Sequence, residues 1–147
     1  MIYREATASD LTPQGISLVS EGLRELGTEE FSPERSIQTM LGMLDDPATL
    51  MVVADTGDEL AGVLLGSVYD SMFSNTSYGT MHVWYVRAKY RGGWTGYRLA
   101  RIYRDWARMA GADTVYFDVN SGVNNEMAGK IAQKLGFKRV GELYKWT

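Results

Sequence analysis

The chain has 147 residues, of which 45% are hydrophobic and 22% are charged, and its formal net charge at pH 7 is −3. These values are typical of a soluble globular protein, so we expect a single domain over residues 1–147. The absence of cysteine and the presence of one histidine exclude disulfides and Cys/His metal sites, and we expect no metal. Because no apolar run approaches about 18 residues and the N-terminus does not resemble a signal peptide, we expect no membrane span and a cytoplasmic location.

The first half of the chain predicts a strand, two helices and a hairpin. The segment MIYREAT reads as a strand, after which Ser9 and Asp10 supply N-cap chemistry for a helix that runs to about Gly27. A Ser-Pro-Glu-Arg segment then begins a second helix towards Asp46. The segment TLMVVADTGDELAGVLLGSVYD contains two β-rich apolar runs around a Gly-Asp turn, which predicts a hairpin, and residues 71–79 form a polar and aromatic loop.

The second half alternates strands and helices. TMHVWYVRA predicts a strand, and the glycine-rich segment YRGGWTG (90–96) connects it to an amphipathic helix that ends at Gly111. At 100° per residue, the apolar side chains of this helix share one arc: Leu99, Ala100, Ile102, Tyr103, Trp106, Ala107, Met109 and Ala110. The arginines share the opposite arc: Arg98, Arg101, Arg104 and Arg108. TVYFDV then predicts a strand, NNEMAGKIAQKLG a helix, and FKRVGELYKW a last strand.

The predicted order is strand, helix, helix, three strands, helix, strand, helix, strand. The section from the strand through the glycine segment to the next strand is a right-handed crossover, in which a helix lies on a sheet. The sequence therefore predicts an α/β (α+β) fold with a mixed central sheet flanked by helices.

The glycine segment has two interpretations. It ends a strand and begins a helix, where free N–H groups and the helix dipole favour an anion such as phosphate. It lacks the spacing of a Walker loop and of a dinucleotide-binding fingerprint, and a tight structural turn would explain the same glycines. The segment alone does not decide between these interpretations.

Two segments resemble signatures of the GNAT N-acetyltransferases. VRAKYRGGWTGYRLA is similar to the acyl-CoA loop of that family, Gln/Arg-x-x-Gly-x-Gly/Ala, which follows a strand ending in valine. Arg91 matches the first position of the pattern and Gly96 the last, whereas Trp94 stands where the middle glycine is expected. NEMAGKIAQKLGF resembles the Asn-x-x-Ala helix of the family, which ends in Leu-Gly-Phe. The predicted order of elements agrees with the GNAT fold over the whole chain.

The resemblance implies an enzyme that transfers an acetyl group from acetyl-CoA to a primary amine by direct attack. It implies that loop N–H groups bind the CoA pyrophosphate, that two arginines add positive charge, and that an asparagine bonds the CoA arm. The implied cofactor-binding residues are Val86, Arg91, Gly92, Gly93, Trp94, Thr95, Gly96, Arg98 and Asn125. For Trp94, contact with the cofactor and plain packing both remain open.

The resemblance also implies catalytic roles. His82 stands four residues before the terminal valine of its strand, where the family often has a glutamate base, and imidazole suits this task near neutral pH. The alternative is a histidine that only hydrogen-bonds within the sheet. The backbone N–H of Val86 would donate to the thioester carbonyl. The tyrosine acid of the family is replaced by Ala132. Tyr144 or Tyr85 could substitute, although thiolate is a fair leaving group near neutral pH even without an acid.

The acceptor side of this family is lined by the first two helices and the loop before the base strand. Here those segments supply acidic and aromatic residues: Glu21, Glu25, Glu29, Glu30, Glu34, Phe73 and Tyr78. Such residues would attract a cationic amine, but carboxylates near helix starts are also ordinary surface chemistry. The expected acceptor is an amine-bearing small molecule or protein, and a homodimer stays open.

Two rival functions follow from other features. Trp94 and Ala132 replace expected residues, which is compatible with a weak or inactive GNAT-fold module that binds CoA or a partner. Seven of the 15 basic residues also lie within residues 87–108, interleaved with aromatic residues. Because the angular pattern assigns Tyr103 and Trp106 to the core, an arginine-covered surface explains this stretch, and we do not expect nucleic-acid binding.

Overall fold

A computed structural model gives the fold of residues 1–26, 30–119 and 124–147. The strands in these residues are β1 (Ile2–Glu5), β2 (Thr49–Asp55), β3 (Leu60–Asp70), β4 (Ser77–Val86) and β5 (Thr114–Val115). The helices are α1 (Pro13–Leu26), α2 (Pro33–Leu44), α3 (Thr95–Met109) and α4 (Asn125–Lys134). In this described part of the chain, no helix has both the length and the apolar character needed to cross a membrane.

The strands form one mixed sheet in the order β1-β2-β3-β4-β5. Neighbours from β1 to β4 are antiparallel, and β5 is parallel to β4 after the crossover through α3. This confirms the predicted α/β class, the mixed sheet and the hairpin of β2 and β3.

The core has one layer on each face of the sheet, because strand side chains alternate between the two faces. On the first face, α3 packs against β2, β3 and β4 through fully buried residues that include Leu64, Leu99 and Tyr103. On the opposite face, α1 and α2 pack against the same strands through Leu18, Met40 and their neighbours. The predicted amphipathic helix is therefore confirmed. Met109, which the prediction placed in the apolar arc, is the exception: it is 88% exposed, because it lies at the last position of α3, beyond the sheet.

The first helix begins later than the sequence predicts. Asp10 lies in a 3-10 turn, Ala8–Asp10, and its carboxylate accepts hydrogen bonds from the Thr7 N–H and the Arg4 guanidinium. Helix α1 starts three residues later, where the Thr12 hydroxyl accepts from the Gly15 N–H at 3.2 Å. The predicted end at Gly27 lies outside the described residues.

The end of the chain differs most from the prediction. Strand β5 comprises Thr114 and Val115 rather than the six predicted residues, and residues 137–146, predicted as a last strand, are assigned to no strand. The side chains of Val140, Leu143, Tyr144 and Trp146 are exposed, Trp146 to 95%, whereas the Phe137 ring contacts the Phe117 ring beside the core, with centroids 5.3 Å apart. None of the described residues of this segment pairs with another strand.

The ion pair of Asp10 predicts that the fold loses stability at acid pH. The Arg4 guanidinium, 2.8 Å from the Asp10 carboxylate, holds the pKa of Asp10 below its usual range. Stability from this ionised group is therefore present above the unfolded pKa near 4 and is lost as pH falls through the lower folded pKa. We expect Asp10→Asn to lower the free energy of unfolding by about 1–3 kcal/mol at pH 7, and by less near pH 3. Urea unfolding at both values measures this difference.

The matched control is Asp58→Asn, which removes the same charge from an exposed turn between β2 and β3. We expect it to change the unfolding free energy by less than about 0.5 kcal/mol at either pH. An Asp10→Asn effect that is equally large at pH 3 would contradict the assignment to the ionised carboxylate.

Candidate functional site

The sheet splits beside a bulge in β4. In the pairing of β3 with β4, Leu65 lies opposite Val83 and Gly66 opposite Met81, so His82 is an extra residue on β4. Pairing of β4 with β5 ends just before this point, at Gly79. A bulge bends its strand and increases the twist. Strands β4 and β5 therefore separate towards their C-terminal ends and leave a gap.

The N–H group of Val86 faces this gap. The Arg87 N–H donates to the Ala61 carbonyl of β3 at 2.9 Å. Because peptide groups alternate in direction along a strand, the N–H of the preceding residue, Val86, points away from β3 and towards the side of β5. The Val86 carbonyl accepts from the Arg91 Nε at 2.7 Å.

The glycine segment exposes backbone at the start of α3. Gly92 has a φ of +88°, and a Cβ added at Gly92 or Gly93 would meet no atom within 4 Å. Trp94 is the N-cap residue of α3. Within the described residues, the first N–H of this helix that donates is that of Arg98, to the Trp94 carbonyl at 2.9 Å. The earlier N–H groups therefore point out of the helix end, where its dipole favours an anion.

The side chain of Trp94 packs between α3 and α4. Its ring meets the Tyr97 ring edge-to-face, with centroids 5.4 Å apart, and the Lys134 ammonium lies 5.2 Å from its centroid. The side chain is nevertheless 60% exposed. These contacts join Trp94 to α3 and α4 and leave more than half of the residue exposed at the rim of the loop.

The two arginines assigned to phosphate have other partners. The Arg91 guanidinium pairs with Glu25 of α1 at 2.7 Å, which raises the pKa of Arg91, and lies 5.2 Å from the Tyr85 ring centroid. The Arg98 guanidinium lies 5.6 Å from the Tyr3 ring centroid on β1. The positive charge of Arg91 is therefore balanced by Glu25, whereas the described partner of Arg98 is an aromatic ring.

Glu59, which the sequence did not identify, holds the turn before the loop. Its carboxylate accepts hydrogen bonds from Arg87 at 3.1 Å and Tyr90 at 2.7 Å, and pairs with Lys89. The bond from Lys89 is the main reason that the pKa of Glu59 is lowered. Arg87 also donates to Ser17 of α1 at 3.1 Å. No short-range pattern marks Glu59, because its partners follow it by about 30 residues.

His82 lies at the mouth of the gap, on the sheet face covered by α1 and α2. Its Nε2 is 2.7 Å from the Ser67 hydroxyl, and the side chain is exposed. Asp118, in the chain that follows β5, is close enough for the charge of His82 to act on it. Burial raises the pKa of Asp118, and a positive charge on His82 opposes that rise. Ser67 and Asp118 were missed, although a carboxylate after a parallel strand is a recognisable signal.

The remaining predicted site residues lie apart from His82. Tyr144 is in the exposed C-terminal segment, where its hydroxyl donates to Glu142 and its pKa is raised by that bond. Asn125 is the first residue of α4, and Ala132 is buried on the same helix. Tyr85 lies on the α1 side of β4, and burial raises its pKa.

The predicted carboxylates of the acceptor side divide into two groups. Glu21 and Glu25 pair with Arg87 and Arg91, so their charges are balanced. Glu30 and Glu34 are exposed, and Glu29 lies outside the described residues.

A cavity of about 330 Å³ lies elsewhere, between the ends of β1 and α2, the start of β2 and Trp106 of α3. It does not include the glycine loop or His82, so it is not the gap between β4 and β5. Over residues 1–26, 30–119 and 124–147, no group of three or more His, Asp or Glu side chains is placed to hold a metal ion.

Comparison with known proteins identifies the family. Residues 18–137 match the acetyltransferase (GNAT) family. The fold is similar to a transcriptional regulator from Bacillus halodurans C-125 (TM-score 0.79, 20% identity, 99% of this chain and 98% of that one). It is also similar to glucosamine-6-phosphate N-acetyltransferase from Arabidopsis thaliana (TM-score 0.74, 17% identity, 99% and 97%). Ribosomal-protein-alanine N-acetyltransferase from Brucella melitensis biovar Abortus 2308 gives a TM-score of 0.74, 14% identity and coverage of 100% and 99%. Since the family match runs from α1 through α4, the chain belongs to the acetyltransferase (GNAT) family and is an acyltransferase.

Proposed function

We propose that this protein transfers an acetyl group from acetyl-CoA to a primary amine. The observation that carries the proposal is the split between β4 and β5, which we take as the groove for acetyl-CoA because pairing of the two strands ends at Gly79 beside the bulge. The outward N–H groups at the start of α3 lie at one end of this groove, and His82 lies at its mouth. The family uses acetyl-CoA, and the amine acceptor is the proposed part.

The residues present fit acetyl-CoA. Gly92 and Gly93 leave the loop backbone open to a pyrophosphate, and Trp94 keeps its N–H while its ring packs on Tyr97. When bound, acetyl-CoA supplies a thioester whose carbonyl carbon is attacked by the amine. Asn125, at the start of α4, is proposed to bond the CoA arm, and Thr95 and Gly96 to contribute N–H groups.

Two groups of β4 are proposed to act on the reacting atoms. His82 takes the proton from the amine, directly or through water, and its bond to Ser67 fixes the orientation of the ring. The Val86 N–H, directed into the gap, donates to the thioester carbonyl oxygen. Tyr144 as general acid stays a prediction; its described partner is Glu142.

The acceptor is proposed to be an amine-bearing small molecule or protein. A cytoplasmic location and a homodimer stay predictions, the first from composition and the second from family resemblance. The rival interpretation, a module that binds CoA without turnover, depends on the effect of Trp94 and Ala132 and is tested with the proposal.

Acetyl-CoA is expected to stabilise the fold through the Gly92 loop. At about 100 times its Kd, a ligand adds about 2.7 kcal/mol, which raises the melting temperature by several degrees. In Gly92→Ala, a Cβ on a backbone with φ of +88° costs about 1–2 kcal/mol and displaces the N–H groups. We expect this variant to bind acetyl-CoA about tenfold more weakly, by titration calorimetry.

Gly57→Ala is the matched control. Gly57 has a φ of +95°, is open to solvent in the turn between β2 and β3, and would suffer the same backbone strain. It should lose similar stability while keeping wild-type affinity. No stabilisation of the wild type by millimolar acetyl-CoA would contradict the proposal. Stabilisation without amine-dependent thiol release would favour the module that only binds.

A further inference from the structure

We propose that the acceptor is a small amine with a second positive charge, which is held by a row of three tyrosines on β3, β4 and the chain after β5. Tyr69, Tyr78 and Tyr116 form this row. This inference rests on the proposed acetyl transfer and specifies the class of its amine.

The three rings are in contact across adjacent strands. The centroids of Tyr69 and Tyr78 are 5.5 Å apart, and those of Tyr78 and Tyr116 are 5.9 Å apart, with tilted planes in both pairs. Tyr69 is 47% exposed and Tyr116 38% exposed. An ammonium group above such rings is attracted by the negative face of each π-system, and several rings in one row extend that surface.

The row lies on the same face of the sheet as His82. A Cβ on Gly79 would meet Ala107 and Tyr103 of α3, so the neighbouring Tyr78 points to the opposite face. Ser67, two residues before Tyr69 on β3, bonds His82 on this face. The row therefore continues the surface that begins at the proposed base.

Helices α1 and α2 leave this part of the face uncovered. Their buried contacts with β3 and β4 end at Leu65 and Val83, and the tyrosines are not part of that cluster. Along β4, Tyr78 precedes His82 by four residues, which is about 13 Å in an extended strand. An elongated small molecule would reach from the row to the base.

The charges around the row select a cation. Residues 66–82 and 112–119 contain no lysine or arginine but contain three aspartates: Asp70, Asp113 and Asp118. Asp70 bonds the Ser77 hydroxyl at 2.8 Å on the α3 face of the sheet, because side chains alternate along a strand and Tyr69 and Tyr78 point to the other face. Asp113 accepts from the Ser77 N–H at 2.8 Å at the strand end beyond Tyr78, and Asp118 lies near His82. These strands therefore present π-faces without a neighbouring cation of their own and with a carboxylate towards His82, which complements an ammonium group and opposes an anionic acceptor.

The test compares two ligands that differ only at the far end. Binding of α,ω-diaminooctane and of ω-amino-octanol, in which a hydroxyl replaces the second amine, is measured by calorimetry on the protein saturated with CoA, so that no turnover is needed. We expect the diamine to bind about tenfold more tightly. Tyr78→Leu should remove most of this preference, and Tyr78→Phe, which keeps the ring, should retain it.

Asp118→Asn, which removes a carboxylate at the His82 end, where both ligands carry the same amine, is the control and should leave the preference intact. Equal affinity for both ligands, absence of binding by either, or a preference unchanged in Tyr78→Leu would overturn the inference. Failure of acetyl-CoA to stabilise the wild type is a separate result that contradicts the proposed function instead. Melting temperatures of the variants distinguish lost binding from lost folding.

Discussion

His82→Gln is expected to lower the turnover number by about a hundredfold or more, while the affinity for acetyl-CoA stays within about twofold of the wild type. In the wild type, the Ser67 hydroxyl lies 2.7 Å from Nε2 of His82. Glutamine can keep a hydrogen bond to this hydroxyl, but it cannot take a proton from an amine near neutral pH. The glycine loop lies beyond the end of β4 and does not contact His82 in the described structure. Thiol release from acetyl-CoA, followed at saturating amine, measures both quantities.

In the same experiment, Ser67→Ala separates the orientation of the His82 ring from the ability of His82 to take a proton. It removes the partner of His82 and leaves the imidazole, so we expect a loss smaller than that of His82→Gln. A His82→Gln enzyme with wild-type turnover would remove His82 from the mechanism. A loss confined to acetyl-CoA affinity would instead assign His82 to cofactor binding.

Gly66→Ala is expected to be among the most destabilising small substitutions in the chain, at about 2–4 kcal/mol of unfolding free energy. A Cβ at Gly66 would lie 2.8 Å from the Tyr103 ring, whose side chain is fully buried between α3 and the sheet. The ring cannot retreat, because the Tyr103 hydroxyl donates to the Tyr116 carbonyl at 2.6 Å. Urea unfolding measures the loss, and the transition should also lose cooperativity if α3 lifts.

The control is Gly42→Ala, on the exposed side of α2, where a Cβ meets no atom within 4 Å. Because alanine favours a helix more than glycine does, we expect this change to be neutral or to stabilise by up to about 1 kcal/mol. Tyr103→Phe, which keeps the ring and loses only its hydrogen bond, should cost about 1–2 kcal/mol. A Gly66→Ala protein as stable as the wild type would contradict the close contact.

The sequence predicts most of the fold because its strongest patterns are local. The arginine and apolar arcs of α3, the Ser32 cap before Pro33 and the β2–β3 hairpin each depend on residues within one element, and the structure confirms them. The start of α1 was wrong because Asp10 bonds Arg4 instead of capping the helix directly. The predicted last strand is not formed in the described residues, because pairing depends on a partner strand elsewhere in the chain and not on the segment alone.

In the candidate site too, the features that depend on neighbouring residues follow from the sequence, and those that depend on strand register do not. The exposed N–H groups of the glycine loop follow from the position of three glycines between a strand and a helix, a local signal. The partners of His82 depend on strand register, because Ser67 and Asp118 lie 15 residues before it and 36 after it. The bulge that places His82 beside Ser67 has no marker in the sequence around it.

The two faces of β3 and β4 also differ in how much change they tolerate. On the α3 face, Gly62, Gly66 and Gly79 bring the sheet within contact distance of the helix whose N-terminus carries the proposed phosphate-binding loop, so almost any larger residue disturbs it. On the other face, Tyr69 and Tyr78 lie outside the packed core and tolerate replacement. If the proposed roles hold, substitutions on the tyrosine face change the preference for the acceptor, while the proposed acetyl-CoA site depends on residues of the other face and stays unchanged.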